Sequence, residues 1–224
     1  MLFDSSKPLV TDSEGLLKSL PVEAEPGSWK GASRVVSSGL CDLQVNGFAG
    51  VDYNDPSLTP KAFEQSLFAM LSTGVTTCLP TVITGSEDWQ IQCFHALEAG
   101  RNASKLAQAM VPGYHLEGPF LNPEEGFCGC HPTKWMRSAT WDHFERLQKA
   151  AGGRITLITV APEIKGVLDL IPKWVEKGIA VAIGHCNPDR DTLLRAADAG
   201  ATLSTHLGNG IAQMLPKTDN PILG

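Results

Sequence analysis

Residues 59–83 read TPKAFEQSLFAMLSTGVTTCLPTVI, and the change of period inside them decides the fold class. Thr59 is a capping residue and Pro60 a proline at the first helical position, where its missing N–H loses no bond. Phe63, Leu67, Met70 and Leu71 then recur along one stripe, and Gly74 ends the helix. After Gly74 the periodicity stops. Val75–Ile83 is a nearly unbroken apolar run, which a strand covered on both faces requires. A helix followed by a buried strand is the repeating unit of a parallel α/β fold.

The same alternation extends in both directions. Leu40–Val45, Val111–Leu116, Ile155–Ala161, Ile179–Ile183 and Ala201–Ser204 give five more buried runs. Ser86 opens a helix with Glu87 and Asp88 in its first turn, where the helix dipole favours negative charge. Trp141, Phe144 and Leu147 stripe another, stopped at Gly152-Gly153, and the helix of Asp189–Ala199 ends at Gly200. Such a series builds either a barrel or a doubly wound sheet. The reading adopted is an α/β fold, a (β/α)8 TIM-type barrel truncated after about six strands, because a complete one needs about 250 residues. Two regions follow: residues 1–39, an irregular or β N-terminal segment punctuated by Pro21, Pro26, Gly27 and Gly31, and residues 40–224, a partial barrel.

Composition narrows the function classes. Of the 224 residues, 42% are hydrophobic and 19% charged, enough apolar matter for a core and too much for a disordered tail. The net charge of −6 and the lack of a Lys/Arg cluster argue against a nucleic-acid partner. No apolar run reaches the ~18 residues of a membrane span, and Met1-Leu2-Phe3-Asp4 lacks the basic start of a signal peptide. The six cysteines form no CxxC pair, and Cys128 and Cys130 sit one residue apart, so they read as reduced thiols of a cytoplasmic protein.

The residues with chemical potential close the strands, at the rim where a parallel barrel gathers them. Gln44 and Asn46 end the first, His115 and Glu117 the third, His185 the fifth and His206 the sixth. Two histidines and a carboxylate with an open position form a catalytic zinc site, in which the metal brings the pKa of its water to roughly 7. Either histidine alone reads more simply as a polar cap on a buried strand. With Glu117, the metal reading is preferred. His115, two residues before Glu117, shares its inward direction and reads as a supporting partner. His131, in Gly129-Cys130-His131-Pro132, either reaches over the site or remains a surface-loop histidine. Gly47 and Gly50 match no nucleotide fingerprint, and no GxSxG elbow is present.

Five ordered motifs then carry a resemblance. They are Cys41-Asp42-Leu43-Gln44-Val45-Asn46-Gly47, His115-Leu116-Glu117-Gly118-Pro119-Phe120, Thr159-Val160-Ala161-Pro162-Glu163, Gly184-His185-Cys186-Asn187 and Thr205-His206-Leu207. From about residue 35 onward the chain resembles the N-acetylglucosamine-6-phosphate deacetylase family of the amidohydrolase superfamily. The resemblance implies hydrolysis of the acetamide of N-acetylglucosamine 6-phosphate to glucosamine 6-phosphate and acetate. It implies one divalent metal held by Glu117, His185 and His206, zinc first, with Fe2+, Mn2+ and Co2+ as alternatives. Gln44 and Asn46 take the place of a His-x-His pair, which implies one metal rather than two. It also implies substrate contacts from Cys130 and His131, a phosphate seat at Asn209 and Gly210, and a cation at Lys217 reaching across a homodimer. Lys217 stands where the family has arginine, and Asn209-Gly210-Ile211 where it has Asn-Ala-Met. The family's general acid/base aspartate would lie beyond Gly224, so no catalytic residue is assigned within the chain and the 224 residues alone are expected to be inactive. Two alternatives remain: an amidohydrolase acting on another N-acyl sugar or cyclic amide, and a non-catalytic remnant that binds metal or sugar phosphate.

Overall fold

The computed structural model describes residues 2–3, 10–11, 17–19, 36–209 and 212, and the chain divides into two units, Met1–Leu40 and Cys41–Gly224. In the first unit, β1 (Leu2–Phe3) and β4 (Val36–Ser37) pair antiparallel, as do β2 (Val10–Thr11) and β3 (Leu17–Ser19).

The second unit is built on a six-stranded parallel sheet whose spatial order is its chain order. Its strands are β5 (Leu40–Val45), β8 (Val75–Val82), β9 (Tyr114–Glu117), β10 (Ile155–Val160), β11 (Ala180–Ile183) and β12 (Leu203–Ser204). A small hairpin of β6 (Gly47–Phe48) and β7 (Val51–Asp52) follows the first of them. Sequential order without a switch point is the topology of a barrel wall rather than of a doubly wound sheet. Register decides what meets at the rim. His115 pairs with Thr81, Glu117 with Thr159, Val160 with Ile183, and Ile183 with Ser204. The strands therefore end level with one another, and Glu117, His185 and His206 leave the sheet on the same edge.

Side-chain caps start the helices where the sequence requires. Thr59 accepts from the Ala62 N–H at 3.2 Å to open α1 (Pro60–Leu71), and Ser86 accepts from Trp89 to open α2 (Glu87–Ala103). Ser104, Thr140 and Asp189 do the same for α3 (Lys105–Met110), α4 (Trp141–Ala150) and α6 (Arg190–Asp198). Because α3 runs to Met110, the third strand starts at Tyr114 and not at Val111, whose N–H closes that helix onto Ala107. A further helix, α5 (Val167–Glu176), goes beyond the patterns read from the sequence. Pro172 inside it removes one backbone bond. Val167, Leu170, Ile171 and Trp174 still form a fully spaced buried stripe, and their burial outweighs that loss.

The core lies between the sheet and these helices. Trp174 stacks on Phe120 with centroids 6.2 Å apart and meets Phe144 edge-on at 5.8 Å. The sheet edges are less protected, with Leu43 of β5 and Leu203 of β12 exposed. Among the described residues no helix is long and apolar enough to cross a membrane.

Where α1 and α2 cross, Gly100 lies against the ring of buried Phe63. A Cβ at Gly100 would come within 2.6 Å of Phe63 Cδ1 and 3.2 Å of its Cβ. In a free helix, Gly→Ala stabilises by about 1 kcal/mol. Here the overlap costs roughly 1–3 kcal/mol and reverses the sign. Gly100→Ala is therefore expected to lower the urea midpoint; a raised midpoint would show that the two helices do not pack this closely.

Candidate metal centre

Glu117 closes β9 with its side chain almost wholly buried, so its charge must be answered locally. Three histidines surround it. His185 and His206 follow β11 and β12 and both adopt left-handed backbone, at φ 50° and 55°. Non-glycine residues seldom sit there, and such strain collects at functional sites. The loop carrying Gly129 passes directly over His185: a Cβ at Gly129, where φ is also positive, would lie 2.8 Å from His185 Cε1.

The distances are those of ligands around one ion. Glu117 Oε1 lies 3.4 Å from His185 Nε2 and 3.2 Å from His206 Nε2, and one ligand atom from each of the three falls within 4.8 Å of the others. A tetrahedral zinc with bonds of about 2.0–2.1 Å separates its ligand atoms by roughly 3.3–3.4 Å. The hydrogen-bond network points the same way. His185 Nδ1 donates to the Phe127 carbonyl at 2.9 Å, which leaves Nε2 with a bare lone pair in the neutral ring. That lone pair and Glu117 Oε1 face each other, both buried and neither hydrogen-bonded. Two acceptors aimed at one point call for a cation between them. The donor set, one carboxylate and two imidazoles, suits zinc and also accepts iron, manganese or cobalt.

Charge is tuned accordingly. Burial raises the Glu117 pKa, but His185 and the other histidines overcome it and hold the group at about 2. Burial lowers the pKa of His185, and the Glu117 carboxylate and Phe127 carbonyl reverse this to a net rise. That rise favours a proton in the gap as the alternative to a metal ion. Burial dominates at His131 and His115, pushing each down to about 4 despite the pull of Glu117. Both are neutral at pH 7.

The remaining candidates separate into those brought to the carboxylate and those not. Gln44 Nε2 donates to Glu117 Oε2 at 2.9 Å. His131 is buried, with Nε2 3.7 Å from the same oxygen; Thr84 N–H donates to its Nδ1 and the Thr84 hydroxyl lies 2.9 Å away, so the ring proton sits on Nε2. His115 points inward but is engaged elsewhere: Nδ1 donates to the Leu43 carbonyl at 3.1 Å and Nε2 accepts from Thr159 Oγ1 at 2.7 Å. Asn46 is exposed, its carbonyl accepting from Tyr53 N–H, and Cys130 is exposed beside His131. Asn209 is exposed in a turn, its N–H donating to the His206 carbonyl at 2.7 Å. Gly210 and Lys217 lie outside the described residues.

Other supports were not among the sequence candidates. Thr84 holds His131, and Thr159 bonds both His115 and Thr205, the residue before His206. Glu163 Oε1 accepts from the Asn122 amide and from the Asn187 N–H, while the Asn122 N–H donates to the His185 carbonyl. The Thr159…Glu163 motif could have flagged two of these.

The chain is 32% identical over 184 residues to N-acetylglucosamine-6-phosphate deacetylase from Bacillus subtilis, covering 81% of this chain and 45% of that protein. The chain is homologous to part of the N-acetylglucosamine-6-phosphate deacetylases. An N-acetylgalactosamine-6-phosphate deacetylase from a Shewanella strain is 32% identical over 207 residues, covering 89% of this chain and 49% of that one. The structure of the Mycobacterium smegmatis N-acetylglucosamine-6-phosphate deacetylase, a variant in complex with N-acetylglucosamine 6-phosphate, superimposes with a TM-score of 0.72 at 27% identity, over 83% of this chain and 46% of that one. The chain thus spans somewhat under half the length of the deacetylases it matches. No family model matches it.

A proton and a metal ion would compete for His185 Nε2. Because that pKa is raised above the usual histidine value, zinc affinity is expected to start falling at a higher pH than an unperturbed imidazole would show, by roughly tenfold per unit once the ring is protonated. Competition with a chromophoric chelator at several pH values reads this; a pH-independent affinity would contradict it. Gln44→Leu, which frees Glu117 Oε2, is expected to weaken zinc 10- to 100-fold in the same assay.

Proposed function

We propose that this chain serves the metal-dependent hydrolysis of the acetamide of N-acetylglucosamine 6-phosphate to glucosamine 6-phosphate and acetate. The observation that carries the reading is the gap between two buried, unpartnered atoms, Glu117 Oε1 and His185 Nε2, with the exposed His206 imidazole beside it, in a chain homologous to the deacetylases. Glu117, His185 and His206 would hold one divalent ion, zinc first. Once bound, the ion supplies Lewis acidity toward the amide carbonyl and toward water.

The protein's own groups do the rest. Gln44 ties down one carboxylate oxygen, so the other stays aimed at the gap. His131, neutral with its proton on Nε2, is placed to donate a hydrogen bond to the amide oxygen as negative charge builds there. Cys130, exposed beside it, is positioned to touch the acyl end of the substrate. Asn209, with Gly210, would seat the phosphate, and Lys217 of a second copy in a homodimer would add a positive charge without arginine's two-pronged geometry. Glu117 is the only carboxylate in the cluster among the described residues, and at a pKa of about 2 it is no proton carrier. In this reading the described residues would bind and orient the amide, and the proton-transfer role is left unassigned.

A second reading changes the epimer. The similarity to an N-acetylgalactosamine-6-phosphate deacetylase, over 89% of this chain, favours testing the sugar that differs only at C4.

Calorimetry on the 224-residue chain decides between them. The zinc-loaded protein is expected to bind N-acetylglucosamine 6-phosphate more tightly than the galactosamine epimer, and both more tightly than unphosphorylated N-acetylglucosamine. Glu117→Ala or His206→Ala should weaken zinc at least 100-fold and remove the zinc-dependent part of sugar binding. Sugar binding that is the same with and without zinc would overturn the reading and favour a non-catalytic sugar-phosphate binder. Preference for the galactosamine epimer would select the second reading.

A further inference from the structure

A cavity of about 410 Å3 is walled by Ile83, Trp89, Pro132 and Trp135. Thr84 and Cys130 also line it and connect it to His131, whose Nε2 faces Glu117: Thr84 hydrogen-bonds the ring at Nδ1, and Cys130 and Pro132 flank that residue in the chain. None of its lining residues is charged. A space of this size is far larger than an acetyl methyl group needs and falls in the range of small-molecule sites.

Two halves of an amide substrate meet at the carbonyl that His131 would address. One is the amine half, a sugar bearing a phosphate dianion; the other is the acyl half. Burying a dianion against two indoles and no cation is strongly unfavourable. Burying hydrocarbon there is favourable, at about 0.8 kcal/mol per CH2. Trp89 is half-buried and packs on the core, so that wall is fixed rather than formed by a loose side chain. Gly85 permits this position, since a Cβ there would fall 2.2 Å from Trp89 Cε3.

We propose that this cavity is an acyl-group subsite that accepts N-acyl chains longer than acetyl, butanoyl among them, on a hexosamine 6-phosphate. The inference rests on the amide-hydrolysis reading of the neighbouring metal centre and extends it to the acyl half of the substrate. The subsite would make the protein an N-deacylase whose preference is set by the two tryptophans.

Stopped-flow tryptophan fluorescence on the full zinc-loaded chain tests it, because Trp89 and Trp135 report occupancy before any turnover. The ligands are N-acetyl-, N-propanoyl- and N-butanoyl-glucosamine 6-phosphate. Butanoyl is expected to bind roughly tenfold more tightly than acetyl, two added methylenes being worth about that much when mostly buried. Trp135→Ala, at a half-buried position outside the core cluster, should reduce the butanoyl-to-acetyl ratio to within about twofold of unity. Gly85→Ala, which forces the Trp89 ring out of its present place in the cavity wall, should likewise bring the ratio to within about twofold of unity. Affinity that is flat or falls with chain length in the unmodified protein, while the acetyl compound binds, would overturn the subsite and leave the deacetylase reading standing. Failure of every compound to bind would overturn both.

Discussion

A buried carboxylate oxygen and a buried imidazole lone pair face each other across 3.4 Å with no proton donor between them, and much of the molecule is arranged around that confrontation. Left alone it is repulsive, and a proton or a metal ion must resolve it. The Phe127 carbonyl prevents the easy escape: by accepting the Nδ1 proton of His185, it keeps the other nitrogen bare. Gln44 prevents the carboxylate from turning away. The raised pKa of His185 and the depressed pKa of Glu117 are two expressions of the same unmet demand for positive charge.

The sheet makes this confrontation possible. Glu117, His185 and His206 are far apart in the chain and meet because β9, β11 and β12 end at one level in a sheet of sequential order. Threonines then brace the rim from inside. Thr81 donates to the Leu79 carbonyl and receives the Val45 N–H, and Thr159 links His115 to Thr205 across three strands. Glu163 binds the loops after β9 and β11 through Asn122 and Asn187. A site supported from so many elements can hold two residues in left-handed backbone without relaxing.

What the sequence made legible follows from how each feature is encoded. Continuous apolar runs announced the parallel strands, and the cluster was announced by the set and not by any one member: each histidine alone could be a polar cap, but two histidines and a carboxylate closing separate strands of one sheet converge on one rim. Caps such as Thr59 and Ser86 were equally readable, because their side chains make the bond themselves. The Phe127 carbonyl was not, since every residue has one and only the fold brings it to a ring 58 positions away. His115 shows the limit of periodicity: alternation placed it inward correctly but could not show that Leu43 and Thr159 already occupy both its nitrogens. In α5, local propensity and packing conflict: Pro172 works against the helix, and the buried stripe of Val167, Leu170, Ile171 and Trp174 stabilises it.

Zinc K-edge X-ray absorption of the loaded chain tests the central claim most directly. One zinc per chain is expected, surrounded only by nitrogen and oxygen at about 2.0–2.1 Å and showing the outer-shell scattering of two imidazoles. A sulfur shell at about 2.3 Å would contradict it. Such a shell would mean that thiols such as Cys128, Cys130 or Cys186 hold the metal, and that the gap between Glu117 and its histidines is filled by a proton.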